Sequence, residues 1–189
     1  ITRPEIYYGG LSNEYVIVRT KSQELDYPAG DQNVYSRYTG RGGVAVSGFL
    51  RKLAFAIRFG ELKILLSDDL TAESRVMMYR RVAERVRQAA PFLRFDRDPY
   101  LVVTEGGRLV WIVDAYTATD RYPYSQPDSG LNYIRNSVKA TVDAFDGNVV
   151  FYVVDSKDPL IRTWARAFPG LFTPFERMPA DLRTHVRYP

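Results

Sequence analysis

The stretch that decides the fold is RLVWIVDAYTATDRYPYSQPDSGLNYIRNSVKATVDAFDGNVVFYVVD, Arg108–Asp155. Its first part, RLVWIVDAY, reads as a buried strand, rich in β-branched and aromatic residues. Its last part, NSVKATVDAFDGNVVFYVVD, reads as a hairpin turning at Asp146-Gly147. Between them, DAYTATDRYPYSQPDSGLN (Asp114–Asn132) is polar, aromatic and nearly free of aliphatic residues. A long loop between two hydrophobic strands loses much conformational entropy on ordering, so it is expected to be held by something and to have a use.

Working outward, Tyr100–Glu105 and Arg108–Tyr116 form a first hairpin around Gly106-Gly107. Lys139–Phe145 and Asn148–Val154 form a second around Asp146-Gly147. Two-residue turns at both dipeptides place Glu105 opposite Arg108, Val102 opposite Trp111 and Leu101 opposite Ile112. The first hairpin is apolar on both faces and is expected to be covered on both sides. In the second, Ala140, Val142, Ala144, Val149, Phe151 and Val153 make a dry face. Lys139, Thr141 and Asp143 make a partly wet one. Downstream, Asp158-Pro159 starts a helix that runs to about Phe168, with Asp158 as N-cap and proline at the first position. Pro169-Gly170 stops it, and a short helix follows Pro179.

Upstream, Tyr15–Thr20 is a strand. Tyr27-Pro28 and Gly30-Asp31 mark a turn, and Val34–Tyr38 an edge strand. Ser47–Phe59 (SGFLRKLAFAIRF) is helical and apolar around most of its circumference. That predicts a deeply packed core helix, with a membrane-surface helix as the alternative. Thr71–Ala90 reads as the longest helix. Thr71 is its N-cap, its buried stripe is Val76, Met77, Val82, Ala83, Val86 and Ala90, and arginines including Arg80 and Arg81 share its outer face. The element order predicts an α+β fold: an antiparallel sheet of two hairpins packed with about four helices. The 189 residues suit a single domain, divisible into sub-lobes 1–95 and 96–189.

Composition removes several chemistries. The absence of cysteine excludes disulfides, thiol nucleophiles and thiolate metal sites, and the one histidine, His185, sits near the end. A net charge of +4 permits anionic partners without demanding nucleic acid. No apolar run is long enough to cross a bilayer, and no signal peptide opens the chain. The start at Ile1 and the halt just after a helical pattern read as a piece of a longer protein.

Few motifs carry chemistry. Gly40-Arg41-Gly42-Gly43-Val44-Ala45 fits a dinucleotide fingerprint, but the half-polar VYSRY before it is unlike the buried strand such a loop requires. A loop leading into a helix explains these glycines. The carboxylate pairs Asp68/Asp69, Asp96/Asp98 and Asp143/Asp146 lack calcium-loop spacing, so no metal and no cofactor is expected. Asp114 differs. Alternation puts it on the apolar face of Val110 and Ile112, where a carboxylate must be paired. Arg121 and Arg135 are the expected partners. Tyr122 and Tyr124 flank Pro123, and an extended backbone would turn both rings to one side as a small amphipathic platform.

VDAYTATDRYPYSQP (Val113–Pro127) and GLNYIRNSVKATVDAFDG (Gly130–Gly147) resemble an uncharacterised family of large multi-spanning bacterial integral membrane proteins. RPEIYYG, GFLRKLAFAIRFGELKILLS, DPLIRTWARAFPGLF and MPADLRTHVRYP are similar to the same family in the same order. One departure is Gly9-Gly10, where the family pattern has glycine then an acidic residue. The resemblance implies transmembrane helices elsewhere in the protein and places this chain in a soluble, extracytoplasmic region. It supplies no catalytic residues. The expected function is therefore an interaction module with Tyr122, Tyr124, Arg121, Asp114, Arg80 and Arg81 as binding residues. Its partners would be the remainder of its own membrane protein, an envelope polymer, a peptide or an anionic lipid surface. The alternative is an envelope hydrolase using Asp114 and Asp120. A nucleic-acid binder is a third and weaker reading.

Overall fold

The computed structural model describes residues 1–29 and 32–188. The chain forms two compact units, Asn13–Arg80 and a discontinuous one built from Ile1–Ser12 and Arg81–Pro189. The helical residues from Arg81 onward therefore belong to the same unit as the downstream sheet and the first twelve residues.

In the Asn13–Arg80 unit, β1 (Tyr15–Val18), β5 (Arg75–Met78) and β4 (Val44–Ala45) form an antiparallel sheet with β5 central. β2 (Glu24–Ala29) and β3 (Gln32–Ser36) pair separately. Tyr27 and Pro28, expected in a turn, lie within β2; the Gly30-Asp31 part of that turn falls outside the described residues. Val46, Phe55, Ala56, Ile64 and Val76 form the core. Helix α1 (Phe49–Phe59) and helix α2 (Lys63–Leu66) follow Gly48. The deeply packed core helix expected here is not found. Only Phe55 and Ala56 of α1 are buried, because a three-stranded sheet offers one narrow surface for a helix to cover.

The glycine loop before α1 is shaped by two arginines. Its carbonyls are turned inward onto arginines: Arg75 donates to the carbonyls of Gly42, Gly43 and Arg41 at 2.6, 2.7 and 3.1 Å. Arg19 donates to those of Tyr38 and Gly40 at 3.1 and 2.7 Å. The Gly42 N–H is also engaged, donating to the Tyr38 hydroxyl at 2.5 Å, so the loop is organised around these side chains.

The predicted helix over Thr71–Ala90 is broken. Its first part is β5, its second is α3 (Val82–Ala89), and Tyr79 between them sits at φ +50°. Thr71 accordingly caps no helix; its hydroxyl donates to the Arg19 carbonyl at 3.0 Å. Spacings of three and four run across the break, because Val76 fills one core and Val82, Val86 and Ala90 another. The apolar spacing was real, but it belongs to two elements.

The other unit is built on a sheet in the order β11-β10-β9-β8-β6, with β7 beside β6 on the same edge of β8. Here β6 is Arg94–Phe95, β7 Tyr100–Val103, β8 Leu109–Thr119, β9 Tyr133–Asp143, β10 Val149–Val153 and β11 Phe172–Pro174. All neighbours are antiparallel except β10 and β11. Helix α4 (Pro159–Ala167) starts as expected, with Asp158 accepting from the Leu160 N–H and proline in the first turn. Helix α5 (Ala180–Arg183) follows Pro179. One face of the sheet packs Val113, Ala115, Ala140, Val142 and Phe151 under α3 and α4. The other packs Val110, Ile112 and Tyr152 under Met178 and Leu182.

Three details of the hairpins differ from expectation. The first turn has three residues, Glu105, Gly106 and Gly107, closed by the Gly107 N–H donating to the Thr104 carbonyl at 2.8 Å. Gly107 takes φ +74°, the extra left-handed residue of a bulged turn. The register therefore slips by one: Leu101 faces Trp111, Val102 faces Val110, and Thr104 rather than Glu105 meets Arg108. The second turn is longer than two residues, and Val149 lies opposite Val142. That shift is even, so the face assignment survives. The supposedly wet face is buried, however: Lys139, Thr141 and Asp143 are all enclosed. Finally, β7 is not covered on both sides, and Leu101 and Val103 are exposed.

Gly147 fixes how closely the N-terminal segment approaches. It has φ +71°, and an added Cβ would lie 2.5 Å from the Tyr8 ring. Arg85 locks the same corner, its Nε donating to the Gly147 carbonyl at 2.5 Å with the guanidinium 4.4 Å from the Tyr8 ring centre. Gly147→Ala should destabilise by about 2–4 kcal/mol, since strain and overlap add. Gly170→Ala, at φ +86° with open space around it, should cost about 1–2 kcal/mol. Equal losses in urea melts would show that Tyr8 does not pack there.

Candidate functional site

β8 and β9 run further than the sequence suggested, so the odd loop contracts to Asp120–Asn132 at the tip of one long hairpin. Asn132 clamps it. Its side chain accepts from the Tyr122 N–H at 2.8 Å and donates to the Tyr122 and Ser125 carbonyls at 2.8 and 3.0 Å. Tyr122 stacks on Tyr133 with ring centres 4.5 Å apart. Tyr124 is fully exposed, at φ +59°. The two tyrosines thus do not form the expected shared platform: one ring is used in packing, and only the other is presented to solvent.

Asp114 lies on the apolar face, as alternation required, and is buried. Its partner is neither Arg121 nor Arg135. Arg121 sits in solvent 3.8 Å from Asp120, and Arg135 pairs with Asp155 at 2.8 Å. Asp114 is instead bonded to the buried Lys139 ammonium, and Asn136 donates to the same carboxylate oxygen at 3.1 Å. The reason is register. Lys139 is the residue directly opposite Asp114 across the ladder, the closest position a partner can occupy. A bulge between Ala115 and Thr117 separates this pair from the pairing of Thr117 with Arg135 beyond it. Lys139 also donates to the Arg187 carbonyl at 2.8 Å, so the C-terminal segment closes over the pair.

Below the loop is a second buried carboxylate whose full role the sequence hid. Asp158 is the N-cap of α4, but it also accepts from Thr117 and Ser137, each at 2.5 Å, and from the Tyr133 hydroxyl at 2.8 Å. Burial pushes this carboxyl up, but the hydrogen bonds from Ser137, Thr117, Tyr133 and the Leu160 N–H outweigh it and hold it below the ordinary value. One side chain therefore ties both strands at the loop's base to the start of α4. It is this residue, with Asn132, and not Asp114, that roots the loop.

A cavity of about 420 Å³ opens on the face under α5, lined by Arg108, Asp143, Tyr152, Pro179, Asp181 and Leu182 among others. Its carboxylates are engaged. Asp143 pairs with Arg108 and accepts from the Phe145 and Asp146 N–H groups at 2.9 and 2.8 Å. Asp181 accepts from the Glu105 and Leu182 N–H groups at 3.2 and 2.9 Å. Among the described residues, no group of three or more His, Cys, Asp or Glu is placed to hold a metal ion. Arg80 and Arg81 do not share a helix face. Arg81 precedes α3, pairing with Glu84 at 3.1 Å and donating to the Ser12 carbonyl at 3.2 Å, while Arg80 follows β5 outside any helix.

Sequence reasoning missed Lys139 because it was assigned to a wet face. It saw Asp158 only as a cap. Lysine within an otherwise apolar β-branched strand was the available signal, since a buried ammonium demands a carboxylate.

Two predictions follow from these carboxylates. Asp114→Asn leaves the Lys139 charge buried and should cost about 3–5 kcal/mol, whereas Asp114→Leu combined with Lys139→Met should recover most of that loss. A single-variant loss below about 1 kcal/mol in denaturant melts would exclude a dry ion pair. For Asp158, a depressed folded value means that its stabilisation is complete above the ordinary carboxylate value of 3.8 and is lost as pH falls through the folded value. The stability gap between the native chain and Asp158→Asn should thus be full at neutral pH and shrink below about pH 4. A gap independent of pH down to about pH 2 would contradict the hydrogen-bond arrangement.

Comparison with known proteins gives context. A UPF0182 protein of Geobacter sp. (strain M21) is 57% identical over 190 residues, and one of Pelotomaculum thermopropionicum is 55% identical over 190 residues. One of Geobacter sulfurreducens is 57% identical over 190 residues. Each alignment covers 100% of this chain but only 21% of the relative, so the chain spans about a fifth of the length of these curated proteins. No solved structure matches it. Residues 1–189 match the Uncharacterised protein family UPF0182 from end to end, and the chain belongs to that family.

Proposed function

We propose that the chain is a non-enzymatic interaction module in the extracytoplasmic part of a larger bacterial membrane protein. It binds an envelope polymer, a peptide or another part of its own protein. The observation that carries this reading is the state of Asp114. A hydrolase needs a carboxylate free to exchange protons with a substrate across a cleft. Asp114 is buried and spent on Lys139 and Asn136, and its proposed catalytic companion Asp120 stands exposed beside Arg121. The engaged Asp143 and Asp181 of the cavity support the same conclusion. What the loop does offer is Tyr124, an apolar ring with a polar tip, held outward by the Asn132 clamp.

A thermal-shift screen with envelope glycans and peptides tests the reading. A ligand should raise the melting temperature saturably, and Tyr124→Ala should abolish the shift while changing stability by less than about 0.5 kcal/mol. Release of soluble fragments from an envelope glycan, lost in the exposed-site variant Asp120→Asn, would replace the module reading with the hydrolase.

A further inference from the structure

Helix α1 keeps an apolar stripe that the fold leaves uncovered. At 100° per residue, Phe49, the half-buried Leu53, Ile57, Leu50 and Ala54 occupy one continuous arc, while Phe55, Ala56 and Phe59 face the unit's core. Phe49 is 66% exposed, Leu50 78% and Ile57 73%. Helix α2 adds Leu62 and Leu66, 70% and 77% exposed and four residues apart. A stripe of this size is not a scatter of single surface residues, which would need no explanation.

Charge says what covers it. Between Gly48 and Ser67 the chain carries Arg51, Lys52, Arg58 and Lys63 but one acid, Glu61, with Asp68 and Asp69 following beyond α2. On the wheel Arg58 and Arg51 follow directly after Ala54, at one border of the stripe, and α1 itself has no acidic residue. The stripe offers no polar side chain to hydrogen-bond a protein partner. Arg58 is held in place, its guanidinium donating to the Tyr79 hydroxyl at 2.6 Å and lying 5.4 Å from that ring's centre. An apolar face of Phe, Leu and Ile with a cationic border suits a helix lying in a bilayer interface. The apolar residues enter the acyl boundary and the cations meet anionic headgroups.

We infer that the exposed face of α1 docks flat on an anionic lipid surface. This rests on the interaction-module reading and assigns it one partner, at the helix for which the sequence offered a membrane-surface alternative and not at the Arg80/Arg81 face.

The test is co-sedimentation of the chain with vesicles of phosphatidylcholine containing about one-quarter phosphatidylglycerol, and with phosphatidylcholine alone. The chain should partition onto the anionic vesicles, at least tenfold less onto neutral ones, and less as salt is raised. Leu50→Glu with Ile57→Glu, at exposed positions that leave folding intact by circular dichroism, should cut binding at least tenfold. Arg51→Glu should cut it on anionic vesicles while leaving the weak neutral binding unchanged. No partition at low salt, or partition unaffected by Leu50→Glu with Ile57→Glu, overturns the inference. So does a change from dimer to monomer in that double variant without any vesicle effect, since the face would then be a protein interface. A glycan or peptide hit through Tyr124 alongside such a failure would leave the module reading standing and remove only the lipid.

Discussion

The ladder between β8 and β9 is covered on both faces, by α3 and α4 on one side and by the Phe175–Arg183 segment on the other. Everything polar within it must therefore be satisfied without water. That constraint explains the arrangement of the larger unit. Asp114 and Lys139 meet directly across the ladder, and the C-terminal segment supplies the carbonyl that takes another ammonium proton. Further along, Asp143 takes Arg108 and two turn N–H groups. At the far end Thr117, Ser137 and Tyr133 converge on Asp158. Among the described residues, no buried side-chain polar atom lacks a hydrogen-bond partner.

These three groups also set what the unit is suited to do. Each carboxylate is fixed by two or more partners. Their value is geometric. Asp158 makes the base of the hairpin and the first turn of α4 one piece, so the tip beyond it is displayed from a stiff support. Burial and then the Asp158 hydrogen bond push the Tyr133 phenol up, which keeps its proton on the side that donates to the carboxylate. Tyr122 stacks on that same ring, so the loop's packing and the polar cluster share a residue.

The Asn13–Arg80 unit follows another logic. Its sheet is small, and two of its arginines, Arg19 and Arg75, donate to carbonyls of the glycine loop. A helix laid on such a sheet can bury one narrow face. Phe49, Leu50 and Ile57 of α1 stay exposed, which is unfavourable in water.

The sequence by itself determined the α+β class, the central hairpins, the start of α4 and the need for a partner at Asp114. These follow from local chemistry: alternation, a proline after an aspartate, a charge among valines. It also determined which residues of β9 and β10 share a face, because an even register shift cannot move a side chain across a sheet. The identity of Asp114's partner was decided only by the tertiary structure. The long β8–β9 ladder and its bulge at Tyr116 chose Lys139 over Arg121 and Arg135. The helix expected at Thr71–Ala90 was decided the same way, since one apolar rhythm served two cores and the chain breaks at Tyr79 between them. Exposure of α1 was equally out of reach, because a helix pattern records which residues are apolar and says nothing about how much surface the fold provides to cover them.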